Sequence, residues 1–245
     1  MAQTATRQDL VGPSRGGRRG APASRAALVA LALPWLGCGG SSMPRDAKTT
    51  VLSVTDLDCA DCGEELARAL IEEPDVYKTA FDKRRVELTL VTAPRVDALA
   101  LAQQKKPAKE TYRLVRGAGL GRYLSWGSPP EGADVLEIAH GGEDVPDLSP
   151  HLVLGKVTIV DFYATWCEPC RQLDAHVLEM ASRRKDLAYR KLDVGDWDTP
   201  LGTRYLKGVN ELPYAIIYDK QGRKVEAVTG LQFEHFDEVV ERAAR

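Results

Sequence analysis

The chain has 245 residues, enough for one large domain or two small ones. Hydrophobic residues make up 44% and charged residues 28%, a balance typical of a soluble globular protein rather than a disordered or fibrous one. The formal net charge of −2 gives no global argument for nucleic-acid binding, so we expect no nucleic-acid partner.

The N-terminus has the pattern of a targeting segment. The first 25 residues carry five arginines and one acid, and an apolar run over residues 26–36 follows. This run is shorter than the roughly 20 residues that a membrane-spanning helix needs, and its order is that of a signal peptide. Cys38 directly after the run resembles the lipobox of bacterial lipoproteins, in which the cysteine carries a lipid.

We therefore expect residues 1–37 to be a signal peptide and Cys38 a lipidation site. The lipid would anchor the chain to a membrane of the bacterial envelope, facing the periplasm, where disulfides persist. An ordinary secretion signal with an incidental cysteine and a cytoplasmic protein are the alternatives.

Residues 38–48, rich in Gly and Ser, are predicted to be a tether, and residues 49–118 the first folded segment. The predicted elements are a strand over 51–57, a helix over 62–71, strands over 76–81 and 86–90 joined by a turn at Asp82 and Lys83, a helix over 96–103 and a strand over 111–115. This order, β-α-β-β-α-β, predicts a ferredoxin-like α+β domain.

A first Cys-x-x-Cys pair, Cys59 and Cys62, stands just before the first predicted helix, with Asp58 beside it. The segment resembles the heavy-metal-associated domain of metallochaperones and metal-pumping ATPases, which implies that these three residues bind a metal. Two thiolates suit soft ions such as Cu(I), whereas the added carboxylate favours a divalent ion, and Asp-Cys-x-x-Cys resembles the zinc, cadmium and lead branch of that family. A second redox pair and a vestigial disulfide are the alternatives.

Residues 119–134 are predicted to be a Gly- and Pro-rich linker in which Trp126 makes a docking contact. Residues 135–245 are predicted to form the second domain. Its expected elements are a buried strand over 157–163, a helix after Cys167, a strand over 187–192, a helix over 200–206, strands over 214–218 and 225–228 and a closing helix over 233–243.

The second Cys-x-x-Cys pair, Cys167 and Cys170, is predicted to follow a strand and to begin a helix. The attacking species in disulfide exchange is a thiolate, and the N-terminus of a helix stabilises a negative charge. Cys170 lies one helical turn further on, close enough to resolve a mixed disulfide, and Pro169 occupies the first turn, where a missing N–H costs little.

Residues 160–171, Val-Asp-Phe-Tyr-Ala-Thr-Trp-Cys-Glu-Pro-Cys-Arg, resemble the active-site strand and loop of thioredoxins. The resemblance covers nearly all of residues 135–245 and implies an α/β thioredoxin fold with no cofactor. It implies that Asp161 handles the proton of the resolving cysteine and that Lys191 pairs with that acid. The site residues that it implies are Cys167, Cys170, Asp161, Lys191, Trp166 and the cis-proline Pro213, with Gly230 near the substrate groove.

These features predict an envelope-anchored thiol–disulfide oxidoreductase that acts on protein thiols and disulfides. We also expect exchange between the two Cys-x-x-Cys pairs within the chain, because a pair that must bind metal in an oxidising compartment has to be kept reduced. A metal-delivery lipoprotein served by its own thioredoxin domain, and a structural protein with both pairs locked as disulfides, are the alternatives.

Overall fold

The computed structural model describes residues 43–245, so the predicted signal peptide and Cys38 lie outside the described part of the chain. We refer to residues 48–123 as the N-lobe and to residues 134–243 as the C-lobe. Both lobes belong to one compact unit that spans residues 43–245. Over this range, the helices are all too short or too polar to cross a membrane.

The N-lobe is a sheet covered by two helices. Its elements are β1 (Lys48–Leu57), α1 (Ala60–Ile71), β2 (Val76–Asp82), β3 (Glu87–Thr92), α2 (Ala98–Lys105), β4 (Arg113–Arg116) and β5 (Arg122–Tyr123). The strand order is β2-β3-β1-β4 with antiparallel neighbours, and β5 adds a short parallel pairing to β1. The predicted order of strands and helices is therefore the observed order for the first six elements.

Apart from element ends that shift by up to three residues, two details of the N-lobe differ from the prediction. The β2–β3 turn occupies residues 83–86 rather than Asp82 and Lys83, because the carboxylate of Asp82 accepts the backbone N–H groups of Arg84 and Arg85 at 3.0 and 3.1 Å. Val86, expected on the strand, lies in this turn with a φ of 54°. The segment predicted as a linker also contributes β5, since Arg122 and Tyr123 pair with β1.

The C-lobe is a five-stranded mixed sheet. Its elements are β6 (Asp134–Ala139), β7 (Val157–Tyr163), α3 (Glu168–Arg183), β8 (Leu187–Asp193), α4 (Pro200–Tyr205), β9 (Tyr214–Tyr218), β10 (Lys224–Thr229) and α5 (Phe233–Ala243), with one 3₁₀ turn at Ser149–His151. The strand order is β10-β9-β7-β8-β6, in which β6, β7 and β8 are parallel and β9 and β10 antiparallel to their neighbours.

The central strand of this sheet is buried on both faces, as its apolar run predicts. All seven residues of β7 are buried, and successive side chains enter different hydrophobic clusters: Ile159 packs with α3 and α5, and Val160 packs with α4. Because β7 is held from both sides, its carboxyl end is a firm base for the loop that leads to Cys167.

Candidate active site

Cys167 is the N-cap of α3 and forms a disulfide with Cys170 one turn later. Its Sγ accepts the backbone N–H of Cys170 at 3.1 Å, so the helix N-terminus points at the sulfur. Pro169 lies in the first turn, where its missing N–H breaks no hydrogen bond within the helix. The relative exposure of Cys167 is 5% and that of Cys170 is 0%, so the pair is shielded from solvent in the closed molecule.

The loop before β9 forms the neighbouring wall of the site. The Leu212–Pro213 peptide bond is cis, as the resemblance implies, and the carbonyl of Pro213 accepts the N–H of Gly230 at 2.8 Å. Gly230 has a φ of 72°, a backbone conformation that strains any other residue, and a Cβ added there would require the Glu211 carboxylate, 2.6 Å away, to move. Trp166 is fixed by its indole N–H, which donates to the carbonyl of Gly195 at 2.8 Å.

Behind the cysteines lies a buried network of four polar side chains. The Tyr189 hydroxyl lies 2.7 Å from Asp161 Oδ2 and 3.3 Å from Asp174 Oδ1. Lys191 forms an ion pair with Asp174 at 2.7 Å. Burial raises the pKa of Asp161 to about 7, although the hydrogen bond from Tyr189 and the charge of Lys191 act in the opposite direction.

The ion pair that the resemblance implies between Lys191 and Asp161 is not the one observed. The two residues are register partners on β8 and β7, but the lysine Nζ extends to Asp174 on α3. Its ammonium group also lies 4.7 Å from the centre of the Trp126 ring. Trp126 in turn packs on Tyr163, with ring centres 4.5 Å apart, so this tryptophan makes the docking contact that the sequence predicts.

Asp174 and Tyr189 are the site residues that sequence reasoning missed. Asp174 is 1% exposed although it is charged, and a signal for this was present. It lies three and four residues before Val177 and Leu178, hence on the apolar face of α3. A carboxylate on that face must find a buried partner, which here is Lys191.

The first Cys-x-x-Cys pair meets the second one at a single cavity. Cys59 is the N-cap of α1, its Sγ accepts the N–H of Cys62 at 3.2 Å, and the two form a disulfide. A cavity of about 370 Å³ is lined by residues of both lobes, including Cys59 of the N-lobe and Cys167 of the C-lobe. The predicted N-terminal pair and the predicted redox pair therefore share one site.

Polar contacts hold the two lobes together around this cavity. Arg171 donates to the backbone carbonyl of Asp58 at 2.8 Å and forms an ion pair with the carboxylate of the same residue. Lys83 of the β2–β3 turn pairs with Asp196 at 2.8 Å and lies 4.7 Å from the centre of the Trp166 ring. Arg84 adds an ion pair to Asp198 at 2.7 Å. We call these ion pairs the latch.

In this structure the three residues that the first resemblance implies as metal ligands, Asp58, Cys59 and Cys62, are not grouped as a three-ligand metal site. Asp58, the expected third ligand, gives its carboxylate to Arg171. Across residues 43–245, no three His, Cys, Asp or Glu side chains are grouped so that they could hold a metal ion. Two sulfurs alone fall short of the four ligands that structural zinc sites use.

The fold and site define a thiol–disulfide oxidoreductase domain: a disulfide at a helix N-terminus, beside a cis-proline, with a buried carboxyl group behind it. A family model described as Thioredoxin matches residues 151–242. Thioredoxin-2 of Saccharomyces cerevisiae is 36% identical over 75 residues, which cover 31% of this chain and 68% of that protein. This chain belongs to the thioredoxin family.

Other thioredoxins are similar to part of this chain. Thioredoxin H8 of Arabidopsis thaliana is 30% identical over 82 residues, which cover 34% of this chain and 53% of that protein. Thioredoxin H-type of Fagopyrum esculentum is matched over 62% of its length, so the chain spans between half and two thirds of these two relatives. The solved thioredoxin NaTrxh of Nicotiana alata is 28% identical, with 49% of this chain and 100% of that chain covered and a TM-score of 0.38. The expected thioredoxin fold of the C-terminal region is confirmed by the family match.

Proposed function

We propose that this chain is a thiol–disulfide oxidoreductase whose two Cys-x-x-Cys pairs exchange electrons with each other. The observation that carries this proposal is the shared cavity, which Cys59 lines from one lobe and Cys167 from the other. Two sites on one chain react at an effective concentration of order millimolar even when a flexible linker joins them. Here the latch also holds the two lobes together, so exchange between the pairs of one chain should be faster than exchange between chains.

The C-lobe supplies the chemistry for this exchange. The N-terminus of α3 stabilises the Cys167 thiolate, which attacks a disulfide and forms a mixed disulfide. Cys170 then resolves that intermediate after it loses its proton, for which the carboxylate of Asp161 is the acceptor. Because burial raises the pKa of Asp161 to about 7, this group can both accept and release a proton near neutral pH.

We also propose that the N-lobe is a ferredoxin-like domain of the heavy-metal-associated type, which serves here as the redox partner of the C-lobe. Its order of elements and its antiparallel strand order β2-β3-β1-β4 support this assignment. No observation at Cys59 and Cys62 favours metal delivery over exchange, since Asp58 belongs to the latch.

The proposed location is the bacterial envelope, with the chain held to a membrane by a lipid on Cys38. The basic and apolar residues before Cys38 support this proposal. Substitution of Cys38 by Ala should move the protein from the membrane fraction to the soluble periplasmic fraction. A parent protein that is already soluble after cell breakage would contradict the lipid anchor.

Exchange inside the chain can be tested with three full-length samples, all carrying C38S. The first keeps both pairs, the second carries C167S and C170S, and the third mixes the second with an equal, micromolar amount of a C59S/C62S chain. After addition of dithiothreitol, alkylation and mass spectrometry follow the appearance of thiols at Cys59 and Cys62. We expect reduction at least tenfold faster in the first sample than in the other two. Equal rates in all three samples would overturn the proposal.

A further inference from the structure

We propose that Cys59 and Cys167 are the two sulfurs that join the lobes during exchange, with Cys62 and Cys170 as the resolving cysteines on either side. The assignment rests on the exchange proposed above and adds its chemical path. It gives the N-lobe pair an order of reaction: Cys59 is attacked and Cys62 is the leaving sulfur.

The shape of the site favours this pairing. The cavity between the lobes is lined by Cys59 and Cys167, whereas neither Cys62 nor Cys170 is among its lining residues. Cys170 is fully buried in the C-lobe, and Cys62 packs against the hydrophobic core of the N-lobe. A direct approach of Cys170 to the N-lobe would require α3 to leave its own core, and Cys62 faces the N-lobe core rather than the cavity.

A backbone hydrogen bond ties the two cysteines together across the lobes. The N–H of Ala60 donates to the carbonyl of Trp166 at 3.3 Å. Ala60 directly follows Cys59, and Trp166 directly precedes Cys167, so this bond joins the immediate chain neighbours of both sulfurs. Motion of one cysteine relative to the other is thereby limited to side-chain rotation and small shifts of the two loops.

The electrostatic environments of the two sulfurs are alike. Each is the N-cap of a helix, α1 for Cys59 and α3 for Cys167, and each Sγ accepts the N–H of the residue three positions later. The first residues of both helices, Ala60 and Glu168, line the same cavity. Whichever of the two sulfurs is released as a thiolate is stabilised by a helix N-terminus, so exchange can run in both directions.

The reaction balances in two steps. The Cys167 thiolate attacks Cys59 Sγ, the Cys59–Cys62 bond breaks, a Cys59–Cys167 bond forms, and Cys62 leaves as a thiolate that takes a proton from water. Cys170 then gives its proton to Asp161 and attacks Cys167 Sγ. The Cys59–Cys167 bond breaks, Cys59 leaves as a thiolate, and two electrons have passed from the C-lobe pair to the N-lobe pair.

In the full-length C170S chain, in a C38S background, the forward resolving step is removed, so the intermediate is lost only through return attack by Cys62, which alkylation of Cys62 blocks. The chain is prepared with Cys167 reduced and the Cys59–Cys62 pair oxidised, then alkylated and mapped by mass spectrometry. We expect a Cys59–Cys167 disulfide and an alkylated Cys62. A Cys62–Cys167 disulfide of equal or greater yield would overturn the assignment while leaving the exchange itself intact.

Two matched variants give an independent measurement at equilibrium. C62S/C170S leaves Cys59 and Cys167, and C59S/C170S leaves Cys62 and Cys167, so both carry two substitutions and one cysteine in each lobe. In glutathione buffers we expect the first variant to form its interlobe disulfide at an oxidised glutathione concentration at least ten times lower than the second variant requires. Equal closure contradicts the assignment, and failure of both variants to close, with no trapped species in C170S, contradicts the exchange as well.

Discussion

Asp161 has one carboxylate oxygen bonded to the Tyr189 hydroxyl and one buried oxygen, Oδ1, with no hydrogen-bond partner among the described residues. A hydrogen bond to the charged form lowers a carboxyl pKa, so Tyr189→Phe should raise the pKa of Asp161 above its value of about 7. A bond to a charged group contributes about 1.5 kcal/mol, which corresponds to about one pH unit. The midpoint of the pH–rate profile for disulfide exchange should therefore move upward by about one unit.

Tyr163→Phe is the matched control for this measurement. Tyr163 is also a buried tyrosine of the C-lobe, but its hydroxyl donates to Glu137 and not to Asp161. Its removal should leave the midpoint of the profile in place. Equal shifts in both variants would mean that the profile does not report the Tyr189–Asp161 hydrogen bond.

The raised pKa of Asp161 also predicts how stability depends on pH. Because the folded chain holds this proton more tightly than the unfolded chain, stability falls as the pH rises from about 4 to about 7. Asp161→Asn has no charge to bury. At pH 8 its free energy of unfolding should exceed that of the parent by on the order of a few kcal/mol, and its melting temperature should be higher; at pH 4.5 both gains should be much smaller. An equal gain at both pH values would exclude the buried charge as the cause.

Residues of the reactive motif were predictable because their chemistry is local in sequence, and the partner of Lys191 was not. Sequence similarity places the lysine and Asp161 on neighbouring strands, where the structure also has them. The choice between Asp161 and Asp174 depends on how the α3 helix is rotated over the sheet. That rotation follows from the packing of Leu173, Val177 and Leu178, which no single motif encodes.

At the scale of the elements, helix α1 positions Cys59 as its N-cap and Cys62 in its first turn. The distance of α1 from the sheet depends on Gly63. A Cβ added to Gly63 would overlap the ring of Phe81 on β2. Gly63→Ala should therefore push α1 outward and destabilise the chain by about 1–3 kcal/mol, even though alanine is the better helix former. Thermal or denaturant unfolding measures this loss directly.

Glu65→Ala provides the control in the same helix. Glu65 is exposed on α1, so its truncation removes no packing and should change the unfolding free energy by about 0.5 kcal/mol or less. A Gly63→Ala chain that is as stable as the parent would show that α1 is free to move on the sheet.

Element boundaries show where sequence patterns stop being informative. Long apolar or amphipathic segments such as Val157–Tyr163 and Phe233–Ala243 have the bounds that their periodicity predicts. Short segments do not, because Arg122–Tyr123 is a strand only through its pairing with β1. Asp134–Ala139 likewise gains its identity from pairing with β8, and its two consecutive exposed residues, Leu136 and Glu137, interrupt the alternation that predicts a strand.

At the scale of the whole molecule, we expect the latch to control access to Cys167. Asp58→Asn removes the charge that pairs with Arg171 but keeps its backbone carbonyl, which Arg171 also contacts. Partly exposed ion pairs contribute about 0.2–1 kcal/mol, so the open population should rise by about 1.4- to fivefold. In the reduced chain, a maleimide too bulky to enter the cavity of about 370 Å³ should alkylate Cys167 faster by that factor.

Asp56→Asn is the matched control, since Asp56 lies two residues earlier and pairs with Arg113 and Arg122 inside the N-lobe. Its alkylation rate at Cys167 should equal that of the parent. Added salt should speed alkylation of the parent, because it screens exposed charges, and should have a smaller effect on Asp58→Asn. If Cys167 is alkylated at the same rate in Asp58→Asn as in the parent, the Asp58–Arg171 ion pair does not restrict access to Cys167.

The hydrogen bond from Ala60 to Trp166 also affects how a separate protein substrate reaches Cys167. A protein substrate must compete for Cys167 with the N-lobe, which is part of the same chain. Its apparent dissociation constant therefore grows as the open fraction of the molecule shrinks. Small thiols that slip into a cavity of about 370 Å³ escape this competition. The chain should thus select its thiol and disulfide substrates first by size and only then by sequence. A chain with a shortened N-lobe should react with large and small substrates alike.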